Sequence, residues 1–278
     1  WHHPVSGLLG GVAFALLVGM SAYAFAIWPI ALLALMPVIG FAPWTGWITF
    51  EEFDLLVLAI VAGGYLRAAL WGDLNVQARS WTYAGRTIRI WLLALYGLSV
   101  LISMFRGFQD AGGFDFGWFQ GYFGSMNSVR LAKSFFLAAL LLPLWLRLER
   151  MYPERSVTLL CWGCAVGLGL ASLAAIWERV AFTGLLNFSS DYRTTALFWE
   201  THVGGAAFDG FLAISLPFAL LCYLRSTGLP KRLISGAILV LAGYASLTTF
   251  SRGVYLAVPI GLVIFVILKH WLARSGES

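Results

Sequence analysis

Charge is the scarcest property of this sequence. Only 11% of its 278 residues are charged while 60% are hydrophobic, against about 25% and about 45–50% in soluble globular chains, which excludes an ordinary soluble domain. Cysteine is scarce too, and three residues make no disulfide framework. Cys161 and Cys164 spell CWGC, but inside an apolar helical run with no βαβ context they read as small packing residues rather than a redox pair. His2, His3 and His270 lie scattered towards the termini. No His, Cys or carboxylate spacing resembles a metal site, so neither metal nor cofactor is expected. Neither GxSxG nor GxxxxGK followed by Ser or Thr occurs, which leaves serine hydrolysis and nucleotide hydrolysis without local support. The apolar runs lack period-two alternation, which argues against a β-barrel. A leader pattern is missing as well: the chain opens on Trp1 with no charged segment ahead of an apolar core and cleavage site, so it is expected to be a processed or truncated portion of something longer.

What the sequence has in abundance is apolar runs of span length. With about 17 to 25 apolar residues as the requirement for crossing a bilayer, helices are expected near residues 5–27, 29–43, 53–71, 88–105, 131–147, 157–177, 204–224, 233–249 and 253–269. The second holds Pro29, Pro37 and Pro43 and reads as broken or re-entrant. The expected fold is therefore all-α, a polytopic transmembrane helical bundle of about eight or nine spans, forming one transmembrane domain over residues 1–278. Lys and Arg gather in alternate connections: Arg79, Arg86 and Arg89; Arg147, Arg150 and Arg155; Arg225, Lys231 and Arg232; and Lys269 and Arg274, together most of the 18 basic residues. The positive-inside rule makes those segments cytoplasmic. It turns EEFD at 51–54, the aromatic stretch at 106–130, the stretch at 178–203 and SRG at 251–253 to the other side. These loops explain the net charge of +5, which does not point to nucleic acid.

Glu178, Arg179, Asp191, Arg193, Glu200 and His202 collect in one outward connection, and Asp209 follows inside the next apolar run. On a helix, His202, Gly205 and Asp209 recur at i, i+3 and i+7 and share a face. A carboxylate inside a membrane helix is costly unless it faces an interior, a cavity or a partner. Asp209 thus reads as part of a site, or as an ion pair with Arg193 or Arg252 that locks two helices. His202 reads equally as a site residue or an interfacial histidine, and Glu200 as a base or a solvated loop charge. Arg193 and Arg252, both outward, suit a diphosphate, because each guanidinium makes bidentate charge-assisted bonds to phosphate oxygens. The helix after Arg252 adds its N-terminal dipole, and the plainer alternative is an interfacial anchor. The aromatic residues from Phe114 to Phe123 read as a membrane-interface belt, and Gly163 with Gly167 as a GxxxG packing signal.

The segment DYRTTALFWETHVGGAAFDGFLAISLPFALL, then a short basic turn, then a helix ending LTTFSRGVYLAV, resembles the bacterial O-antigen ligase and O-antigen polymerase family. Arg193, Thr194 and Phe198 match its arginine-led segment, residues 212–220 its following helix, and Thr249, Ser251, Arg252 and Gly253 its T-x-S-R-G motif; the match covers roughly residues 190–268. Where the family has Pro-Asn this chain has Glu200, Thr201 and His202, and it ends at Ser278 before the family's large outer loop with its acceptor-activating histidine. The resemblance implies a GT-C-like membrane glycosyltransferase in the bacterial inner membrane. It would be inverting and metal-independent, transferring or polymerising glycan from a polyprenyl-diphosphate donor onto a lipid or glycan acceptor at the periplasmic face. Arg193, Arg252 and Ser251 would bind the diphosphate, with His202, Glu200 or Asp209 as catalytic base. Two rivals come from other classes: a transporter or flippase whose substrate path passes Asp209 and the outward arginines, although no internal repeat is evident, and a non-catalytic subunit of an envelope assembly complex.

Overall fold

The computed structural model describes residues 7–39, 51–71, 83–117, 121, 123–189, 192–198 and 206–274. Among them the α-helices are α1 (Gly7–Tyr23), α2 (Trp28–Ile39), α3 (Glu52–Leu70), α4 (Tyr83–Asp110), α5 (Met126–Met151), α6 (Pro153–Phe182), α7 (Ala206–Arg225), α8 (Leu229–Thr248) and α9 (Arg252–Arg274). By length and composition, six described helices can cross a membrane, namely α3 to α7 and α9, and α1 with α2 supplies a seventh if counted as one broken span. The chain is a polytopic, all-α membrane protein. The shortfall from eight or nine spans has two local causes. The proline-bearing α2 is only 12 residues long, and α8 carries Lys231 and Arg232 in its first turn and dilutes its apolar residues with Ser, Gly, Tyr and Thr. The outward faces fit hydrocarbon rather than water: α4 exposes Ile88, Trp91, Leu95 and Leu98, and α9 exposes Leu256, Ile260, Val263 and Ile267, an apolar area no soluble monomer presents.

The helices divide into two compact units, residues 1–28 with 42–156, and residues 29–41 with 157–278. In the first unit α1 and α3 pack closely and run parallel, Val18 lying beside Gly63 and Ala22 beside Arg67. A Cβ on Gly63 would stand 2.4 Å from the Val18 carbonyl oxygen, so only glycine admits this approach. Arg67 ends α1, its Nη1 donating to the carbonyls of Ala22 at 2.8 Å and Tyr23 at 3.2 Å. At the opposite end Glu51 and Asp54 form a reciprocal capping box on α3. Asp54, 3% exposed, also takes the Lys133 ammonium of α5 at 2.5 Å, with Glu51 3.8 Å away. Arg147, expected in a basic connection, instead lies within α5, buried, its guanidinium 5.4 Å from the Phe25 ring.

The second unit is built on α6. Cys161, Ala165, Leu168, Ala171 and Ala175 make a small-residue stripe packed against Phe208, Leu212, Leu216, Ala219 and Cys222 of α7 and Ile238, Ala242 and Ala245 of α8. The α6 residues recur at spacings of three or four, the period of a helix face. The GxxxG reading holds: a Cβ on Gly167 would lie 2.3 Å from the Leu33 oxygen of α2. Both α8 and α9 lean on α7, and they hardly touch each other.

Candidate functional site

Buried polar residues of the second unit gather where α6 ends, α7 begins and α8 turns into α9, among them Glu178, Arg179, Thr194, Thr248, Thr249 and Ser251. α6 runs past its apolar stretch to Phe182, which makes Glu178 and Arg179 helical residues rather than loop charges. The helix then stops at Gly184, whose φ of +88° lies in the left-handed region that only glycine enters without strain. Its amide and that of Thr183 both bond the Arg179 carbonyl, at 2.6 and 3.0 Å.

Glu178 and Arg179 then fasten the chain that follows. Glu178, 5% exposed, accepts from the amides of Thr195 at 3.1 Å and Ala196 at 2.6 Å, and from the Tyr192 hydroxyl at 2.7 Å. Burial, and after it the hydrogen bond to Glu178, pushes the Tyr192 phenol up to about 12. Arg179, fully buried, donates Nη2 to the Asn187 carbonyl and Nη1 to that of Tyr192 at 3.5 Å. Its guanidinium lies 6.0 Å from the rings of Phe188 and Phe250. Two non-glycine residues here have positive φ, Ala196 at 54° and Phe250 at 48°, each costing on the order of 1–3 kcal/mol. Glu178 holds the first through its amide and Arg179 the second through its ring. Phe198 completes the attachment, packing 5.7 Å from Phe208 and 5.5 Å from Phe211.

The fastened segment presents Arg193. Its Nη2 donates to Oδ2 of Asp209, which stands in the first turn of α7, where the helix dipole favours a carboxylate. The pair is only half made: Arg193 Nε and Asp209 Oδ1 are buried and have no hydrogen-bond partner among the described residues, although a bidentate arginine–carboxylate contact would use both. Thr194, fully buried, also leaves its hydroxyl oxygen without a partner among the described residues. Its amide donates to the Thr248 carbonyl at 3.2 Å, tying the Arg193 segment to the end of α8. The α8–α9 turn then satisfies itself, Thr248 and Thr249 hydroxyls donating to the carbonyls of Ala245 and Ser246 and the Ser251 amide donating to Thr249 Oγ1 at 3.3 Å. Ser251 is buried, 9% exposed. Arg252 opens α9 exposed to the surroundings.

Of the residues singled out from the sequence, Arg193 and Asp209 are in contact, and Ser251 and Arg252 stand on the turn that Thr194 is tied to through Thr248. Glu200, His202 and Asp191 lie outside the described residues. Sequence reasoning assigned no role to Glu178, Arg179 and Tyr192, which build the loop. The signal was an adjacent acid and base closing a long apolar run. Among the described residues no group of three or more His, Cys, Asp or Glu is placed to hold a metal ion. No family model, curated protein or solved structure matches the chain. The class that fold and site define is a multi-pass α-helical membrane protein with a polar, arginine-bearing end on its second unit.

Proposed function

We propose that this chain is, or is part of, a membrane glycosyltransferase of the O-antigen ligase or polymerase type, with the arginine-bearing end at the periplasmic face of a bacterial inner membrane. The observation that carries the reading is the Thr194–Thr248 hydrogen bond, which fastens the Arg193 segment to the helix end from which Arg252 follows four residues on. Two guanidinium groups on joined segments suit a polyprenyl diphosphate. They would offset the negative charge growing on that diphosphate as the glycosidic bond breaks, the form of stabilisation that contributes most to such steps. The unpartnered Arg193 Nε and Thr194 hydroxyl are the polar atoms a phosphate oxygen would satisfy, with Ser251 beside Arg252. The acceptor hydroxyl would lose its proton to Asp209, Glu200 or His202. A GT-C-like helical bundle of eight or nine spans, with the Lys- and Arg-rich connections cytoplasmic, belongs to this same reading.

The test is glycan transfer in membranes from a polyprenyl-diphosphate-linked donor. Arg193→Ala and Arg252→Ala are expected each to abolish transfer while membrane insertion stays intact. Normal transfer by either variant would sink the two-arginine model. Uptake into vesicles that depends on Asp209 and forms no covalent product would favour a transporter instead.

A further inference from the structure

Beneath the Ser251–Arg252 turn a cleft of about 500 Å³ opens between α7, α8 and α9. It exists because α8 and α9 both pack on α7 while hardly touching each other. Leu216 of α7, Leu239 and Leu247 of α8, and Val258 and Leu262 of α9 give it an apolar wall. Two polar side chains also reach the lining, and both are spent on backbone. The Ser246 hydroxyl donates to the Ala242 carbonyl at 2.7 Å, and the Tyr255 hydroxyl to the Leu247 carbonyl at 2.7 Å. Nothing inside therefore asks for a polar guest, and a membrane-embedded cleft of this kind offers room to hydrocarbon.

Arg252 stands one helical turn before Tyr255, just outside the residues that line the cleft. Arg252, Tyr255, Pro259 and Leu262 stand at i, i+3, i+7 and i+10 on α9, one stripe of a helix, and the last three line the cleft. The stripe thus runs from an exposed guanidinium into an apolar trough over about 15 Å, half the thickness of a bilayer's hydrocarbon core. Among the described residues Arg252 makes no ion pair or hydrogen bond through its side chain. A cation at the water boundary above an apolar trough matches one molecular form, an anionic head on a hydrocarbon chain.

We infer that this cleft seats the hydrocarbon chain of a phosphate-headed membrane lipid whose head is held at Arg252. The inference rests on the reading of Arg252 as a phosphate-binding residue and adds the course of the chain. Gly243 decides access. It lines the cleft, and a Cβ built on it meets nothing within 4 Å, so a larger side chain there fills the trough without displacing any neighbour at its Cβ.

The experiment uses the full-length protein in phosphatidylcholine nanodiscs doped with photoreactive lipid. One arm carries phosphatidic acid with a diazirine in its acyl chain and the other the matching phosphatidylcholine, with labelled positions mapped by peptide mass spectrometry. Label is expected to concentrate on residues 239–262, from phosphatidic acid about ten-fold above phosphatidylcholine, the ratio one charge-assisted contact gives. Gly243→Leu should remove the cleft label for both lipids while its thermal melting matches the parent, and Arg252→Gln should remove only the preference for phosphatidic acid. Label spread evenly over the lipid-facing sides of α4 and α9, or unchanged in Gly243→Leu, overturns the inference. So does a cross-link from the cleft to a second copy or another helix. Cleft labelling without glycan transfer would keep the lipid seat and sink the transferase, whereas transfer that survives Gly243→Leu alongside uniform labelling would do the reverse.

Discussion

Replacing Glu178 by glutamine tests whether one carboxylate fastens the Arg193 segment. The carboxylate accepts from the Ala196 amide at 2.6 Å, the Thr195 amide at 3.1 Å and the Tyr192 hydroxyl at 2.7 Å. Glutamine keeps one oxygen for the Thr195 and Ala196 amides, which both bond Oε2. It turns the other into a donor facing the Tyr192 hydroxyl, so that bond is lost or reversed and the two amide bonds lose the charge that strengthens them. A hydrogen bond to a charged group contributes about 1.5–3 kcal/mol against about 0.5–1.5 kcal/mol for a neutral one, so each of the three contacts weakens by about 1 kcal/mol. A net loss of about 3 kcal/mol is expected for the loop's attachment, a roughly hundred-fold rise in its open population. The helices beneath do not share those bonds, so opening is local. Hydrogen exchange on the detergent-solubilised protein reads it directly. The Thr195 and Ala196 amides should exchange roughly a hundred-fold faster while amides inside α7 keep the parent's rates. Unchanged exchange at Thr195 and Ala196 would show that the carboxylate does not hold the segment, and with it would go the account of how Arg193 is presented.

The Tyr192 phenol, pushed up to about 12, makes the same attachment pH-dependent. Its folded value lies above the unfolded one of about 10, so its contribution is fully present below pH 10 and is lost as pH rises towards 12. Loop protection should stay flat between about pH 6 and 9 and fall above about 10, and Tyr192→Phe should erase that alkaline step in an exchange-versus-pH series. In the first unit, Lys133→Met strands the buried Asp54 charge and should destabilise by about 3–5 kcal/mol, read as a lower denaturation midpoint in detergent. Adding Asp54→Asn should recover most of it, and a double variant no better than the single one contradicts the pairing. Gly167→Val places a Cβ 2.3 Å from the Leu33 oxygen and should cost about 1–3 kcal/mol or more through forced separation of α2 from α6. An unchanged thermal midpoint would mean that these helices do not approach so closely.

The helices were legible because a membrane imposes length and apolarity together, and the runs around residues 53–71, 131–147 and 157–177 carry both. GxxxG at Gly163 and Gly167 was legible for a similar reason, since two small residues one turn apart on an apolar helix signal backbone approach. Hydropathy marks only where hydrocarbon begins, however, and a helix continues as long as its backbone bonds do. That is why α6 extends to include Glu178 and Arg179, and why Arg147 belongs to α5. Pairings distant in sequence were out of reach: Asp54 and Lys133 stand 79 positions apart, and no local pattern joins them. Asp209 sat between the two cases. Burial cost demanded a partner for it, and the sequence named Arg193 and Arg252 as the choices, but only the position of the fastened loop selects Arg193.

That selection changes how the arginine-bearing end would receive an anion. Glu178 and Arg179 are committed to the backbone of the loop and have no charge to offer. Arg193 is committed to Asp209, through one of the two contacts a guanidinium can make with a carboxylate. Among the described charged residues of this end, Arg252 stands exposed at the head of its helix, with the dipole of α9 behind it. An incoming phosphate would therefore meet Arg252 first, at little cost, and reach Arg193 only by competing with a carboxylate already in place. A singly charged head gains little from that exchange, because it replaces one anion by another of equal charge. A diphosphate exceeds Asp209 in charge and in acceptor oxygens, so it could compete for Arg193 while a second phosphate stays with Arg252. If this end does bind phosphate, the ion pair would favour diphosphate over monophosphate without a separate recognition element, and the two arginines would act in sequence rather than as a preformed clamp.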